Sequence, residues 1–158
     1  MYPVDLSGKN GIVLGVANDH SIAWGIARTL AAQKGEVALP FPADNFGKRV
    51  RPLAQSIDAP LVLQCDVADQ DSIDAVFTAV ERQWGGLDFV VHAIAFSDRA
   101  ELNGRFVDTT RENFARSLDI SCYSFTAIAR GAAALMPDGG SILTLTFAGS
   151  RRVMPNYN

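Results

Sequence analysis

Hydrophobic positions along the chain follow two alternating rhythms. Short apolar runs stand at Ile12-Val13-Leu14, Val37-Ala38-Leu39 and Leu61-Val62-Leu63, then from Leu87 to Ala93 and from Ser141 to Phe147. Between them, apolar residues return every three or four positions: Ile22, Ile26 and Leu30; Ile73, Val76, Phe77 and Val80; Phe114, Leu118, Cys122 and Phe125. Nearly continuous apolar runs read as strands buried on both faces, and the longer period reads as helices with one apolar stripe. The pattern predicts strands over about 10–14, 36–41, 61–65, 87–93 and 141–147. It predicts helices over about 22–34, 46–57 and 71–84, and one long helix over about 110–136.

Punctuation supports these bounds. Lys34-Gly35, Gly85-Gly86 and Pro137-Asp138-Gly139-Gly140 close helices, with Gly35 suited to a left-handed cap. Pro40 and Pro42 flank Phe41 and cannot donate into a ladder, so the end of the second strand is irregular. Residues 97–110 form a polar connection without periodicity, of a length that is often functional.

Strand and helix alternating in this way predict an α/β fold: a Rossmann-type, doubly wound parallel sheet with helices on both faces, in a single domain over 1–158. Ligands of such sheets bind at the carboxyl ends of the strands. Gly15, Ser21, Asp66, Ile94, Ser97, Phe147 and Tyr157 gather there.

The stretch from Gly11 to Gly25, GIVLGVANDHSIAWG, carries the strongest chemical signal. A glycine at a strand end lets backbone approach a phosphate, and the next helix offers free N–H groups and its positive dipole end. Ser21 occupies an N-cap position and is also a hydroxyl donor for a phosphate oxygen. The spacing is not G-x-G-x-x-G, and a βα turn without a ligand is the plain alternative. At the end of the second strand neither an acid nor a base is in place. Asp44 is near, while Lys48, Arg49 and Arg51 come later, which leans towards NAD over NADP. Asp66 is placed either to accept from an adenine amino group or to cap a helix, and Asp69 and Ser72 are better placed for the cap. His92 lies among apolar neighbours and reads as a structural histidine rather than a catalytic one. His20 reads as solvent-facing.

Composition narrows the class. The 158 residues are 48% hydrophobic, enough for one real core and too apolar for disorder. A net charge of −3 argues against a nucleic-acid partner. No apolar run is long enough to span a bilayer, and a cytoplasmic setting is expected with Cys65 and Cys122 reduced.

Four stretches together resemble the N-terminal part of bacterial NADH-dependent enoyl-acyl-carrier-protein reductases, a divergent branch of the short-chain dehydrogenases/reductases. They are GVANDHSIAWGIA (15–27), LQCDV (63–67), DISCYSF (119–125) and LTLTFAGSRRVMPNYN (143–158). The resemblance implies hydride transfer from NADH to the β-carbon of a trans-2-enoyl thioester, carried on acyl-carrier protein or coenzyme A. It implies that Tyr157 is the catalytic tyrosine, donating to the developing enolate oxygen. It implies cofactor contacts at Gly15, Ser21, Ile22, Asp66, Val67 and Ile94, and a substrate-side loop beginning at Ser97. A homo-oligomer, tetrameric at full length, is also implied.

The sequence departs from the family pattern at four points. Phe147 stands where a second tyrosine is usual, Pro42 where glutamine is frequent, and Ala93-Ile94-Ala95-Phe96 where Ser-Ile-Gly-Phe is usual. The lysine of the family's Tyr-x6-Lys pattern would fall after Asn158. The sequence is therefore expected to represent an incomplete dinucleotide-binding domain, inactive by itself, that self-associates through an uncovered fifth-strand side. Two other readings are an inactive nucleotide-binding or interaction module and an ordinary carbonyl-reducing relative; the Gly15-x5-Ser21 spacing speaks against the second.

Overall fold

The computed structural model describes residues 4–154. Four parallel strands, β1 (Asn10–Leu14), β2 (Glu36–Ala38), β3 (Phe89–His92) and β4 (Ser141–Thr144), form one sheet in the order β2-β1-β3-β4. Helices α1 (Ile22–Ala32), α2 (Asp44–Gln55), α3 (Gln70–Trp84), α4 (Arg111–Leu118) and α5 (Ser124–Ala134) make the crossovers. Successive side chains of a strand point to opposite faces, and the core divides accordingly. Ile12, Leu14 and Val90 pack with Ile73, Val76, Val80 and Ile128 of α3 and α5. Val13, Val37 and Val91 pack with Trp24, Ala27, Val50 and Ala54 of α1 and α2. Burying one such aliphatic side chain stabilises by about 1.5–3 kcal/mol, so these two layers hold the helices on the sheet. The doubly wound parallel sheet is as the alternation predicts.

Three elements differ from expectation. The first is the strand expected over 61–65, which is not a regular strand. It touches the β2 edge through two isolated bridges, Ala38 with Leu61 and Phe41 with Gln64. The N–H groups of Leu39 and Phe41 donate to Leu61 and Leu63 carbonyls at 2.9 Å, and Cys65 N–H donates back to Phe41 at 2.8 Å. Pro40 and Pro42 explain the interruption: each fixes φ and lacks an N–H, so β2 itself stops at Ala38. The segment still occupies the outer strand position, giving (61–65)-β2-β1-β3-β4, the arrangement of a dinucleotide-binding sheet.

The second is the long helix expected over 110–136. It is broken by a π-helical turn, Asp119–Tyr123, between α4 and α5. The Ser124 hydroxyl donates to the Ile120 carbonyl at 2.7 Å and competes with the regular ladder there. The third is the end of α1, where Lys34, not Gly35, takes the left-handed conformation (φ 69°). Lys34 N–H donates to Ala31 and Gly35 N–H to Leu30, which is a Schellman closure shifted by one residue. The remaining shifts are fraying at element ends: β3 and β4 are shorter than the apolar runs that predict them, and residues 97–110 hold two short 3₁₀ turns, Arg99–Glu101 and Phe106–Asp108. Asp69 caps α3 by accepting from Asp71 N–H and Gly85 ends it, both as expected, with Gly85 in the left-handed region; Ser72, the other residue offered for the cap, accepts from Asp66 N–H instead.

Candidate functional site

A crevice of about 430 Å³ opens at the carboxyl edge of the sheet, between the chain leaving β1 and the chain leaving β3. This is where strand order reverses direction, the usual ligand position in open α/β sheets. Leu14 to Ala17 form its floor. Pro40, Pro42, Ala43 and Phe46 line one end, and Cys65, Asp66 and Val67 one side. Ala93 to Phe96, with Arg116 and Ile120 from the α4 region, close the rest.

Gly15 is required at the floor. Its φ is +102°, and a Cβ there would overlap the Ala93 carbonyl oxygen and lie 2.7 Å from its carbon. The two chains that bound the crevice therefore touch backbone to backbone. Beyond Gly15 the turn is held by Ser21. Ser21 stands at the N-cap of α1 (φ −64°, ψ 138°) but its side chain does not cap the helix. Instead its Oγ accepts from Ala17 N–H and Asn18 N–H, both at 3.0 Å, and Asn18 Oδ1 accepts from His20 N–H at 2.9 Å. Trp24 and Gly25 N–H groups reach the Ser21 carbonyl. The N–H groups of Ile22 and Ala23 have no carbonyl to meet within the helix, which leaves the first turn of α1 suited to an anion. The Ile22 side chain is 72% exposed, so its contribution to that turn is its backbone. His20 is solvent-facing, as expected.

Asp66 reaches the crevice from the opposite side. Its backbone N–H donates to Ser72 Oγ at 2.9 Å, and its Oδ1 accepts from Ala68 N–H at 3.0 Å. The helix cap belongs to Asp69, which leaves Asp66 as an exposed carboxylate on the crevice wall. Next to it, burial pushes the Cys65 thiol up to about 11, so it stays a neutral wall residue.

Ser97 is at the mouth but does not line the crevice. Its hydroxyl is engaged with Asn113 Nδ2 at 3.1 Å and with Ser117 Oγ at 3.0 Å. Arg116 lies over the Phe96 ring, 4.6 Å from the centroid. His92 is fully buried below the crevice. Its Nε2 is 2.7 Å from Ser124 Oγ and its Nδ1 3.3 Å from Thr144 Oγ1. Since Ser124 gives its proton to Ile120, the network assigns the proton to Nε2 and leaves Nδ1 to accept from Thr144. Burial holds the imidazole below its ordinary range, as a neutral structural histidine.

Of the residues singled out from the sequence, the crevice gathers Gly15, Asp66, Val67 and Ile94, with Ser21 and Ile22 behind its floor. Tyr157 lies outside the described residues. Phe147 is 58% exposed just past β4 and is not part of the lining. Sequence reasoning did not single out Arg116, Ile120, Asn113 or Ser117. The signal available for them was their spacing: 113, 117 and 121 form one helical stripe and 116 and 120 the next. Among the described residues, no His, Cys, Asp or Glu group is placed to hold a metal ion, and no helix is long and apolar enough to cross a membrane.

A glycine-floored crevice at the switch point of a doubly wound parallel sheet, with a carboxylate on its wall and an open helix N-terminus behind its floor, is the arrangement of a dinucleotide-binding α/β protein. Residues 15–158 match the family model described as "Enoyl-(Acyl carrier protein) reductase", and the chain belongs to that family. It is 58% identical over 153 residues to "Enoyl-[acyl-carrier-protein] reductase [NADH] 2" of Rhizobium meliloti, covering 97% of this chain and 57% of that protein. It is 46% identical to the corresponding NADH enzyme of Rickettsia felis, with 97% and 59% covered. The chain thus spans a little over half the length of these relatives. Among solved structures, the enzyme of Anaplasma phagocytophilum in complex with NAD superimposes with a TM-score of 0.92 at 54% identity, covering 96% of this chain and 58% of that one. The enzyme of Candidatus Liberibacter asiaticus gives 0.94 at 48% identity, with 99% and 60% covered.

Proposed function

We propose that the protein reduces trans-2-enoyl thioesters with NADH, as a step of fatty-acid synthesis. The observation that carries this reading is the crevice itself: in a chain of this family, its floor, helix end and carboxylate wall match the parts of a dinucleotide in order. Gly15 and the first turn of α1, held open by Ser21 and reached through the Ile22 backbone, take the pyrophosphate. Asp66 and Val67 bound the adenine end, where the carboxylate accepts from an amino group. Ile94 packs on the side of the nicotinamide, and Ser97 begins the loop that faces substrate. When bound, NADH supplies a hydride for the β-carbon of the enoyl thioester. Tyr157 holds the developing enolate oxygen with its hydroxyl, the kind of donor that contributes most to such reactions. The acyl group arrives on acyl-carrier protein or coenzyme A.

The same reading extends to assembly and setting. Phe114 and Leu118 on α4 and Leu143, Leu145 and Phe147 at the β4 edge are exposed apolar side chains. They support a homo-oligomer, tetrameric at full length. Two free cysteines support a reducing, cytoplasmic setting.

The test has two parts. Fluorescence titration of the 158-residue polypeptide with NADH is expected to show binding. NADH oxidation with an enoyl thioester is expected only from a polypeptide long enough to include a lysine at the Tyr-x6-Lys spacing. Absence of NADH binding overturns the cofactor reading. Reduction of ketones but not enoyl thioesters by the longer polypeptide overturns the substrate reading.

A further inference from the structure

After His92 the chain leaves the sheet, and its polar backbone groups need new partners. Ala93 N–H still reaches the Leu14 carbonyl at 3.2 Å and Leu145 N–H the His92 carbonyl at 3.2 Å. From Phe96 onwards the partners come from α4 and the π-helical turn. The Ser121 hydroxyl accepts from Phe96 N–H at 3.0 Å and donates to the Phe96 carbonyl at 3.1 Å, satisfying both groups with one side chain. Asn113 Oδ1 accepts from Asp98 N–H at 2.8 Å, which fixes the orientation of its amide. Its Nδ2 then donates to Ser97 Oγ, and Ser117 Oγ donates to the same oxygen. Asn113 is buried and Ser117 and Ser121 half-buried.

These three side chains stand four residues apart along one stripe, Asn113 and Ser117 on α4 and Ser121 in the π-helical turn that follows it. π-Helical turns are rare and recur at functional sites. None of the three lines the crevice, yet the segment they hold does: Ala95 and Phe96 form its wall. Arg116, next to Ser117 on α4, adds a guanidinium over the Phe96 ring at the same wall.

We propose that the Asn113–Ser117–Ser121 stripe is a positioning device that anchors Phe96–Asp98, so sets the adjoining crevice wall at Ala95–Phe96, and thereby tunes affinity for the dinucleotide. This rests on the reading of the crevice as an NADH site. The stripe acts through the backbone of residues 96–98, and its three members are positioning residues rather than catalytic ones. Ser97, at its centre, serves the wall through its hydroxyl while its backbone opens the substrate-side loop.

The test is Ser121→Ala, measured by NADH titration, by thermal melting and by hydrogen exchange at the Phe96 amide. Loss of one hydroxyl that serves two backbone groups is expected to weaken NADH binding about fivefold to tenfold. The Phe96 amide loses protection while the rest of β3 keeps its own. Ser121→Thr, which keeps the hydroxyl, restores affinity to within about twofold of the parent. In a polypeptide extended to include the lysine of the Tyr-x6-Lys spacing, the change is expected to fall on KM for NADH and to leave kcat nearly unaltered. Unchanged NADH affinity in Ser121→Ala overturns the proposal, as does failure of Ser121→Thr to restore it. Should Ser121→Ala not fold, Ser117→Ala tests the same stripe from its middle and is expected to weaken binding about twofold to fourfold; no effect there overturns the proposal. If the parent protein itself does not bind NADH, the cofactor reading fails, and the stripe's role with it; if the parent binds and the variants bind equally well, only the stripe's role fails.

Discussion

The chain leaves the sheet towards the crevice twice, after β1 and after β3, and the two exits are held by opposite means. The first exit holds itself. Ser21 and Asn18 bind backbone groups two to four residues away. The second exit depends on partners 15 to 25 residues further along the chain, on α4 and its π-helical turn. A turn that closes its own hydrogen bonds depends less on what packs beside it. A segment bonded to a distant helix keeps its shape only while that helix stays docked. The crevice therefore has one locally specified wall and one whose position other parts of the molecule can alter.

The largest disturbance is expected where the two exits meet. Gly15→Ala places a methyl group on the Ala93 carbonyl in a backbone conformation that L residues avoid. Strain and overlap together are expected to cost about 3 kcal/mol, or roughly 6–12 °C in Tm for a chain of this size. NADH titration of any folded fraction should show binding lost, because both walls move at once. A variant that melts like the parent and binds NADH equally well would mean that the exits are not in contact.

Ser21→Ala disturbs the first exit alone. It removes the acceptor of two backbone N–H groups that are partly open to water, so the expected cost is about 1–2 kcal/mol. The loss should appear in hydrogen exchange at Ala17 and Asn18 and not at Phe96. Set beside Ser121→Ala, it asks whether one hydroxyl on each wall is worth the same to the bound dinucleotide. Spread of the exchange from residues 17 and 18 to the β3 exit would show that the first turn is not self-contained.

The same contrast explains what was legible in the sequence. The first exit was readable because its strand, glycine and hydroxyl lie within a dozen consecutive residues, and their chemistry is local. The alternation of Ile12, Val13 and Leu14 with the periodic Ile73, Val76 and Val80 likewise gave the layers, since each period reports the face of its own element. The second exit was not readable in the same way. Nothing near Phe96 announces that its N–H will meet Ser121, and an unbroken apolar period over 114–125 conceals a π-helical turn whose Ile120 carbonyl accepts from the Ser124 hydroxyl. The segment over 61–65 shows the converse. Its apolar run is strand-like, but its pairing is decided by Pro40 and Pro42 in its neighbour. Asp66 was readable only in part: the cap could be assigned to Asp69 from spacing, while the carboxylate's position on the wall needed the fold.

The smallest expected effect lies beneath the second exit, at His92, where β3, β4 and α5 meet through one imidazole. Its partners are the Ser124 and Thr144 hydroxyls and, edge-on, the Phe125 ring, and none of these carries a charge. Burial holds the folded-state pKa below its ordinary value, so the folded protein binds this proton less readily than the unfolded chain does. The sign follows: the contribution of neutral His92 is fully present above the unfolded pKa of about 6.5 and is lost as pH falls through the folded value. The parent should therefore lose Tm between neutral and mildly acidic pH more steeply than His92→Gln, which cannot titrate. His20 is exposed and common to both proteins, so it does not contribute to the difference. The gap between the two melting curves should be widest at neutral pH and narrow as the solution is acidified, before carboxylates such as Asp88 begin to protonate. A gap that stays constant with pH would mean that the imidazole takes its proton without leaving its hydroxyl partners, and that the base of the second exit is more tolerant of charge than its burial implies.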